Sequence, residues 1–138
     1  MEKPDIKELL REHGYKATPG RVALLEVLWE EGVPLSVQSI IQKLKKAPDE
    51  ATLYRALEAL AGSGILRRVD LGHSHAHYEF EKEHHHHLVC IDCGLIEDVE
   101  NCSIEKAQKR VAEQSKKFIS IYSHNLEFFG QCKNCLKA

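Results

Sequence analysis

The chain has 138 residues, 43% of them hydrophobic and 29% charged, an ordinary globular composition with room for one medium domain or two small ones. No apolar run approaches the roughly 18 residues of a membrane span and no signal-peptide core stands in the sequence, so no membrane partner is expected and a cytoplasmic location is. The formal net charge is −2, and the first 78 residues hold 11 basic and 11 acidic side chains. Any affinity for nucleic acid must therefore come from local placement and not from the bulk field.

The first half reads as four helices and a hairpin. Residues 4–13 form a short helix closed by Gly14. In "TPGRVALLEVLWEEG", Thr18 is an N-cap and Pro19 suits the first helical position. Val22, Leu25, Leu28 and Trp29 recur at helical spacing until Gly32. Ser36 is expected to cap a third helix running to about Lys46, with Val37, Ile40, Ile41 and Leu44 on one face. Pro48 separates it from a fourth, which starts at Asp49 or Glu50, turns Leu53, Ala56, Leu57 and Leu60 inward, and stops at Gly62 to Gly64. "ILRRVDLGHSHAHYEFE" then alternates and turns at Gly72, which predicts a two-stranded hairpin over about 65–81. Short helices followed by a hairpin are the winged helix-turn-helix order, with the fourth helix in the recognition position and the hairpin as wing.

The second half is mixed. "HLVCI" and "LIEDVE" read as strands joined at Asp92, Cys93 and Gly94. Residues 103–116 read as an amphipathic helix with Ile104, Ala107 and Val111 inward, and "FISIYSHNLEFFG" as strand again. The polar "EFEKE" places a hinge at about 79–84. The expected fold is α+β: a winged-helix domain over 1–80, then a small α/β domain over 84–138.

Two motifs carry chemistry. Cys90-x-x-Cys93 and Cys132-x-x-Cys135 are ligand pairs with 38 residues between them. In a reducing compartment such pairs read as metal ligands before disulfides, and a two-residue gap lets two thiolates of one turn reach one tetrahedral zinc. Four thiolates saturate the ion, so this is a structural site. Buried free cysteines or two redox pairs are the bland alternatives, and Cys102 stands alone as a free thiol. The second motif is the run His84, His85, His86, His87 on a predicted strand. Alternation puts His85 and His87 on one face and His84 and His86 on the other, so two metal centres are conceivable. Glu79, Glu81, Asp98, Glu105 and His124 supply further donors, a set that suits zinc, iron(II), manganese or nickel. His73, His75 and His77 alternate along the wing and are extra ligands or solvated polar residues.

With these motifs in order, the chain resembles the ferric uptake regulator family of dimeric, metal-dependent transcription regulators. "YKATPGRVALLEVL", "ATLYRALEALAGSGIL", "HYEF", "HHHHLVCIDCG", "IEDV" and "HNLEFFGQCKNC" carry the resemblance nearly end to end. It implies an N-terminal winged-helix DNA-binding domain, a C-terminal dimerisation domain, and a homodimer on double-stranded operator DNA. The structural zinc falls on Cys90, Cys93, Cys132 and Cys135. The resemblance maps a regulatory site to Glu79, His85, His87 and Asp98, holding Fe2+, Mn2+ or Zn2+, and a further metal site to His84, His86, Glu105 and His124. Many relatives also place a histidine just before the serine that caps the third helix. Here "GVPLS" offers Pro34 and Leu35, so the resemblance implies a missing ligand: either the wing histidines complete the site, the reading favoured here, or the coupling between the domains is weaker. Zinc-sensing members often carry a cysteine near Glu79 or Glu81; its absence leaves iron, manganese or peroxide sensing open.

On the fourth helix, Tyr54 and Arg55 occupy the exposed first half, where Arg can fork onto a guanine and Tyr can meet a phosphate or a thymine methyl. Thr52 and Lys16 are expected at phosphates, with Arg21 beside them by analogy. The bland alternative is an ordinary amphipathic helix with Tyr54 packed on a neighbour. A metal-storage or chaperone protein would explain the histidines but not the winged-helix half. An enzyme would need an open metal position, and no nucleophile elbow, phosphate loop or HExxH motif accompanies the cluster.

Overall fold

All four helices of the N-terminal half begin on a side-chain oxygen that accepts the backbone N–H three residues on, which satisfies a donor the helix cannot. The structure, a computed structural model, describes residues 2–72, 75–82, 85–100, 104–122, 124 and 126–136. Asp5 caps α1 (Ile6–Glu12), Thr18 caps α2 (Pro19–Glu31), Ser36 caps α3 (Val37–Lys43) and Asp49 caps α4 (Glu50–Gly62). Gly32 closes α2 at φ 67°, a left-handed conformation that a Cβ disfavours.

The chain divides into two compact units, residues 1–81 and 82–138. In the first, Leu24, Leu25 and Leu28 of α2, Ile40 of α3, and Leu53, Leu57 and Leu60 of α4 bury one face of each helix with Ile6 and Leu10. A three-stranded antiparallel sheet completes the unit, in the order β1 (Leu35–Ser36), β3 (His77–Phe80), β2 (Leu66–Val69). Leu66 pairs with Phe80 and Val69 with His77, so Tyr78 and Phe80 lie in the core, where Trp29 meets the Phe80 ring edge-on at 5.6 Å. Helices α3 and α4 followed by the β2–β3 hairpin make this a winged helix-turn-helix.

The second unit is a sheet in the order β5 (Ile96–Val99), β4 (His86–Cys90), β6 (Glu127–Gly130). Strand β5 is antiparallel to β4, and β6 is parallel to it. The crossover that a parallel pair requires contains α5 (Glu105–Gln114); α6 (Lys133–Leu136) follows β6. Among the described residues no helix is long and apolar enough to cross a membrane.

Several expectations need correction. Helix α3 stops at Lys43, because Leu44 is extended at ψ 133°, and does not reach Lys46. Strand β1 was not foreseen; two residues are too few to show a period, and only pairing with β3 makes them a strand. Among the described residues of 118–130 only 127–130 are strand; Phe118, Ile119 and Tyr122 are exposed loop, Ile119 by 99%. Helix α5 is shorter than the expected 103–116, running Glu105–Gln114, and Ala107 and Val111 are exposed: among the described residues its apolar stripe is left uncovered. The wing is not uniformly exposed, since pairing with both β1 and β2 buries His77.

Leu57 is fully buried at the centre of the first core. Leu57→Ala should lower unfolding stability by about 2–5 kcal/mol, read as a shift in the urea midpoint with an unchanged slope.

Candidate metal centres and nucleic-acid interface

Ligand-type side chains gather on β4 and its two neighbours. At its end Cys90 enters a turn in which Gly94 adopts φ 80°. The Gly94 N–H donates to the Cys90 carbonyl at 3.0 Å and the Cys90 N–H to the Leu95 carbonyl at 2.9 Å, which folds Cys93 back beside Cys90. From the β6 side, the Ile91 N–H donates to the Gly130 carbonyl at 2.9 Å and the Cys132 N–H to Cys90 Sγ at 3.3 Å. Cys135 follows on α6. The four sulfurs lie within 4.8 Å of one another, with Cys93 and Cys132 3.7 Å apart. A zinc tetrahedron with bonds of ~2.3 Å has edges of about 3.8 Å, so donor type and spacing both fit zinc. The N–H groups of Cys93 and Cys132 hold the Cys90 thiol down at about 6, whereas contact with the Cys132 and Cys93 sulfurs pushes Cys135 well up. Thiols this crowded can shed all their protons only against a compensating cation.

The second cluster follows from register. His87, on the central strand, sits opposite Asp98 of β5 and Glu127 of β6. His85 Nε2 lies 3.1 Å from His87 Nε2, and Asp98 Oδ1 is 3.6 Å from the same His87 atom; the ligand atoms of these three residues fall within 4.8 Å of one another. His87 Nδ1 donates to Glu127 Oε2 at 2.8 Å, so the neutral ring presents a bare Nε2 to His85. Lys82 engages Asp98 Oδ2, while buried Oδ1 has no hydrogen-bond donor. The His87 Nε2 lone pair, the His85 Nε2 beside it and the orphaned Asp98 oxygen are a donor set that fits a divalent cation. Glu79 is buried on β3 of the N-terminal unit, paired with Arg67.

The opposite face of β4 carries a third grouping. His86 and His124 stack at 5.1 Å with their Nε2 atoms 3.2 Å apart. His86 Nδ1 donates to the Leu126 carbonyl at 2.9 Å and His124 Nδ1 to Gln108 Oε1 at 2.7 Å. Gln108 Nε2 donates in turn to the Ile121 carbonyl, which fixes the amide's orientation. Both outward nitrogens are therefore bare in the neutral rings. Glu105 is exposed one turn before Gln108, and His84 lies outside the described residues. His73 and Cys102 do so too. His75 stacks on His77 at 5.1 Å, and Glu81 is exposed. Among the described residues, neither wing histidine nor Glu81 joins a group of three or more close ligands.

On the first unit, α4 exposes Thr52, Tyr54 and Arg55, Tyr54 by 40%. Lys16 is exposed. Arg21 is held locally, with its guanidinium donating to the Lys16 carbonyl at 3.0 Å and lying over the Tyr15 ring. Exposed Lys45 and Lys46, just before α4, add positive charge that the sequence reading passed over. Glu127 and Gln108 were also missed. The signal for each is distant pairing, and Glu127 is seen only once β6 is laid against β4.

A winged helix-turn-helix joined to a unit built around clustered metal ligands defines a metal-responsive DNA-binding class. The chain matches the ferric uptake regulator family over residues 12–129, and it belongs to that family: it is a metal-responsive transcription regulator and not an enzyme. It is 35% identical over 138 residues to a ferric uptake regulation protein of Bacillus subtilis (strain 168), spanning 94% of this chain and 91% of the relative. Its fold is similar to the Vibrio cholerae ferric uptake regulator, with TM-score 0.79 and 31% identity over 93% of this chain and 100% of that one. The ferric uptake regulator of Francisella tularensis with iron is also similar, with TM-score 0.77 and 30% identity over 89% and 96% of the two chains.

Cys93→Ser should remove the metal of the four-sulfur site and loosen the β4–β6 pairing that it terminates. Zinc per chain, measured by mass spectrometry of the dialysed protein, should fall from one to near zero; retention of a full equivalent would refute the assignment.

Proposed function

We propose that the chain is a cytoplasmic repressor that binds operator DNA as a homodimer when its regulatory centre holds Fe2+, Mn2+ or Zn2+, controlling metal uptake or the peroxide response. The observation that carries this reading is the convergence of His85 Nε2, His87 Nε2 and Asp98 Oδ1, the last a buried acceptor with no donor. Two imidazoles with carboxylates suit these three ions. Glu79 supplies the ligand from the N-terminal unit; Cys90, Cys93, Cys132 and Cys135 hold structural zinc; and His86 and His124, with His84 and Glu105, form the additional site. Residues 1–80 are the DNA-binding domain and 84–138 the dimerisation domain, with a hinge at about 79–84.

A divalent ion supplies positive charge that ligands on both sides of the hinge share. Glu79 is thereby tied to His85, His87 and Asp98, and the hinge loses freedom. The DNA-bound arrangement gains only by the difference in metal affinity between the two arrangements. A second copy of the chain covers the apolar side chains exposed on the C-terminal unit, among them Val111, Phe118, Ile119, Tyr122 and Phe129; a surface so apolar is what partner burial removes from water. Tyr54 and Arg55 face the major groove, with Thr52 and Lys16 at the phosphates and Arg21 beside them.

Zinc-replete protein titrated anaerobically with Fe(II), Mn(II) or Zn(II) on a fluorescent duplex from its own upstream region should gain affinity with one metal at the lowest free concentration. His85→Ala should abolish that gain while the circular dichroism stays intact. Equal binding with and without added metal would sink the reading. Arg55→Ala should weaken binding by about 1–3 kcal/mol if the guanidinium reads a base, measured by the same anisotropy.

A further inference from the structure

We propose that Glu127 is the positioning residue of the regulatory centre: its carboxylate locks the His87 ring in the tautomer whose Nε2 faces His85 and Asp98. The inference rests on assigning that centre to His85, His87 and Asp98. One oxygen, Oε2, accepts both the His87 ring Nδ1–H at 2.8 Å and the His87 backbone N–H at 3.2 Å. The ring is thus tied to its own main chain through a single acceptor, which fixes its rotation as well as its proton. His87 is fully buried, so bulk water does not compete for Nδ1.

Register delivers the contact. Glu127 stands opposite His87 in the parallel β4–β6 pair, three positions before Gly130 meets Cys90. The sulfur cluster closes the end of that pair, so the register that places Glu127 is held from the structural site. The other face of β4 is built differently. There a main-chain carbonyl holds His86 and a neutral amide holds His124. A carboxylate behind an imidazole makes it the stronger metal donor. Glu127 therefore gives the regulatory centre a higher affinity than its second-partner chemistry would otherwise provide, and it does so without touching the ion.

The test uses zinc-replete dimer carrying His124→Ala, which removes the opposite-face centre, titrated anaerobically with Co(II) and read by its visible d–d absorption. Side-chain 15N spectra of the same protein before cobalt addition report the His87 tautomer. Glu127→Gln keeps an acceptor for Nδ1–H but loses the charge; it should retain the tautomer and bind Co(II) roughly 10–100-fold more weakly. Glu127→Ala should bind more weakly still and show both His87 tautomers. Zinc content and dimer mass should be unchanged in the Gln variant, which carries the test if the Ala variant fails to fold. Parental Co(II) affinity in both variants, with His87 still in one tautomer, overturns the proposal. His87→Ala separates the two claims. If it abolishes cobalt binding while Glu127 variants do not weaken it, only the role of Glu127 fails; if it leaves binding unchanged, the centre itself is misassigned.

Discussion

The interior of the C-terminal unit is made of imidazole and thiol where a domain normally has hydrocarbon. Its buried residues, among those described, are His85, His86, His87, Val89 and Cys90. Burying a polar group is tolerable only when it is hydrogen-bonded, and three of the rings meet that condition on one side: Glu127, Leu126 and Gln108 take the Nδ1 protons of His87, His86 and His124. The Nε2 atoms are left facing each other across 3.1 Å and 3.2 Å. Two lone pairs at that separation repel unless a proton or a cation stands between them. Metal binding is in this unit a contribution to folding as much as a signal, the more so because its apolar side chains lie outside.

Four consecutive histidines carry no register information of their own. A slip of one residue along β4 would exchange the two faces of the strand and with them both ligand sets. What pins the strand is its far end, where Cys90 is joined to the β6 side by the Cys132 N–H and the Ile91–Gly130 bond. The closed, saturated sulfur site and the imidazole sites are therefore parts of one construction. The first sets the register that the second needs, which gives a physical reason for His86, His87 and Cys90 to share one five-residue strand.

What could be read from sequence was chemistry that acts over a few residues. Thr18 with Pro19, Ser36 and Asp49 announce helix starts, and each makes the expected cap bond. Strand alternation divides His85 and His87 from His86, and the structure pairs His85 with His87 and His86 with His124. The Cys-x-x-Cys spacing anticipates the sulfur cluster. What could not be read depends on pairing between distant segments. Strand β1 exists because β3 lies beside it, and Glu127 looks like any strand carboxylate until residue 87 is placed opposite. Helix α5 shows the complementary failure. Periodicity says that Val111 faces something apolar, but not whether that something belongs to the same chain, and among the described residues Val111 is left exposed.

The charge balance of the N-terminal unit has a consequence for regulation on the reading proposed above. Its first 78 residues are electrically neutral, and α4 opens on Asp49 and Glu50 a few positions from Arg55. Phosphate neutralisation, the main source of nonspecific affinity, is therefore modest for one copy. Affinity must come from two recognition helices engaging together, where the second contact is made at the effective concentration set by the first and vanishes if the spacing is wrong. A strongly basic winged helix would hold DNA whether or not its hinge was fixed. A neutral one makes occupancy depend on geometry, and geometry is what the proposed regulatory metal would control.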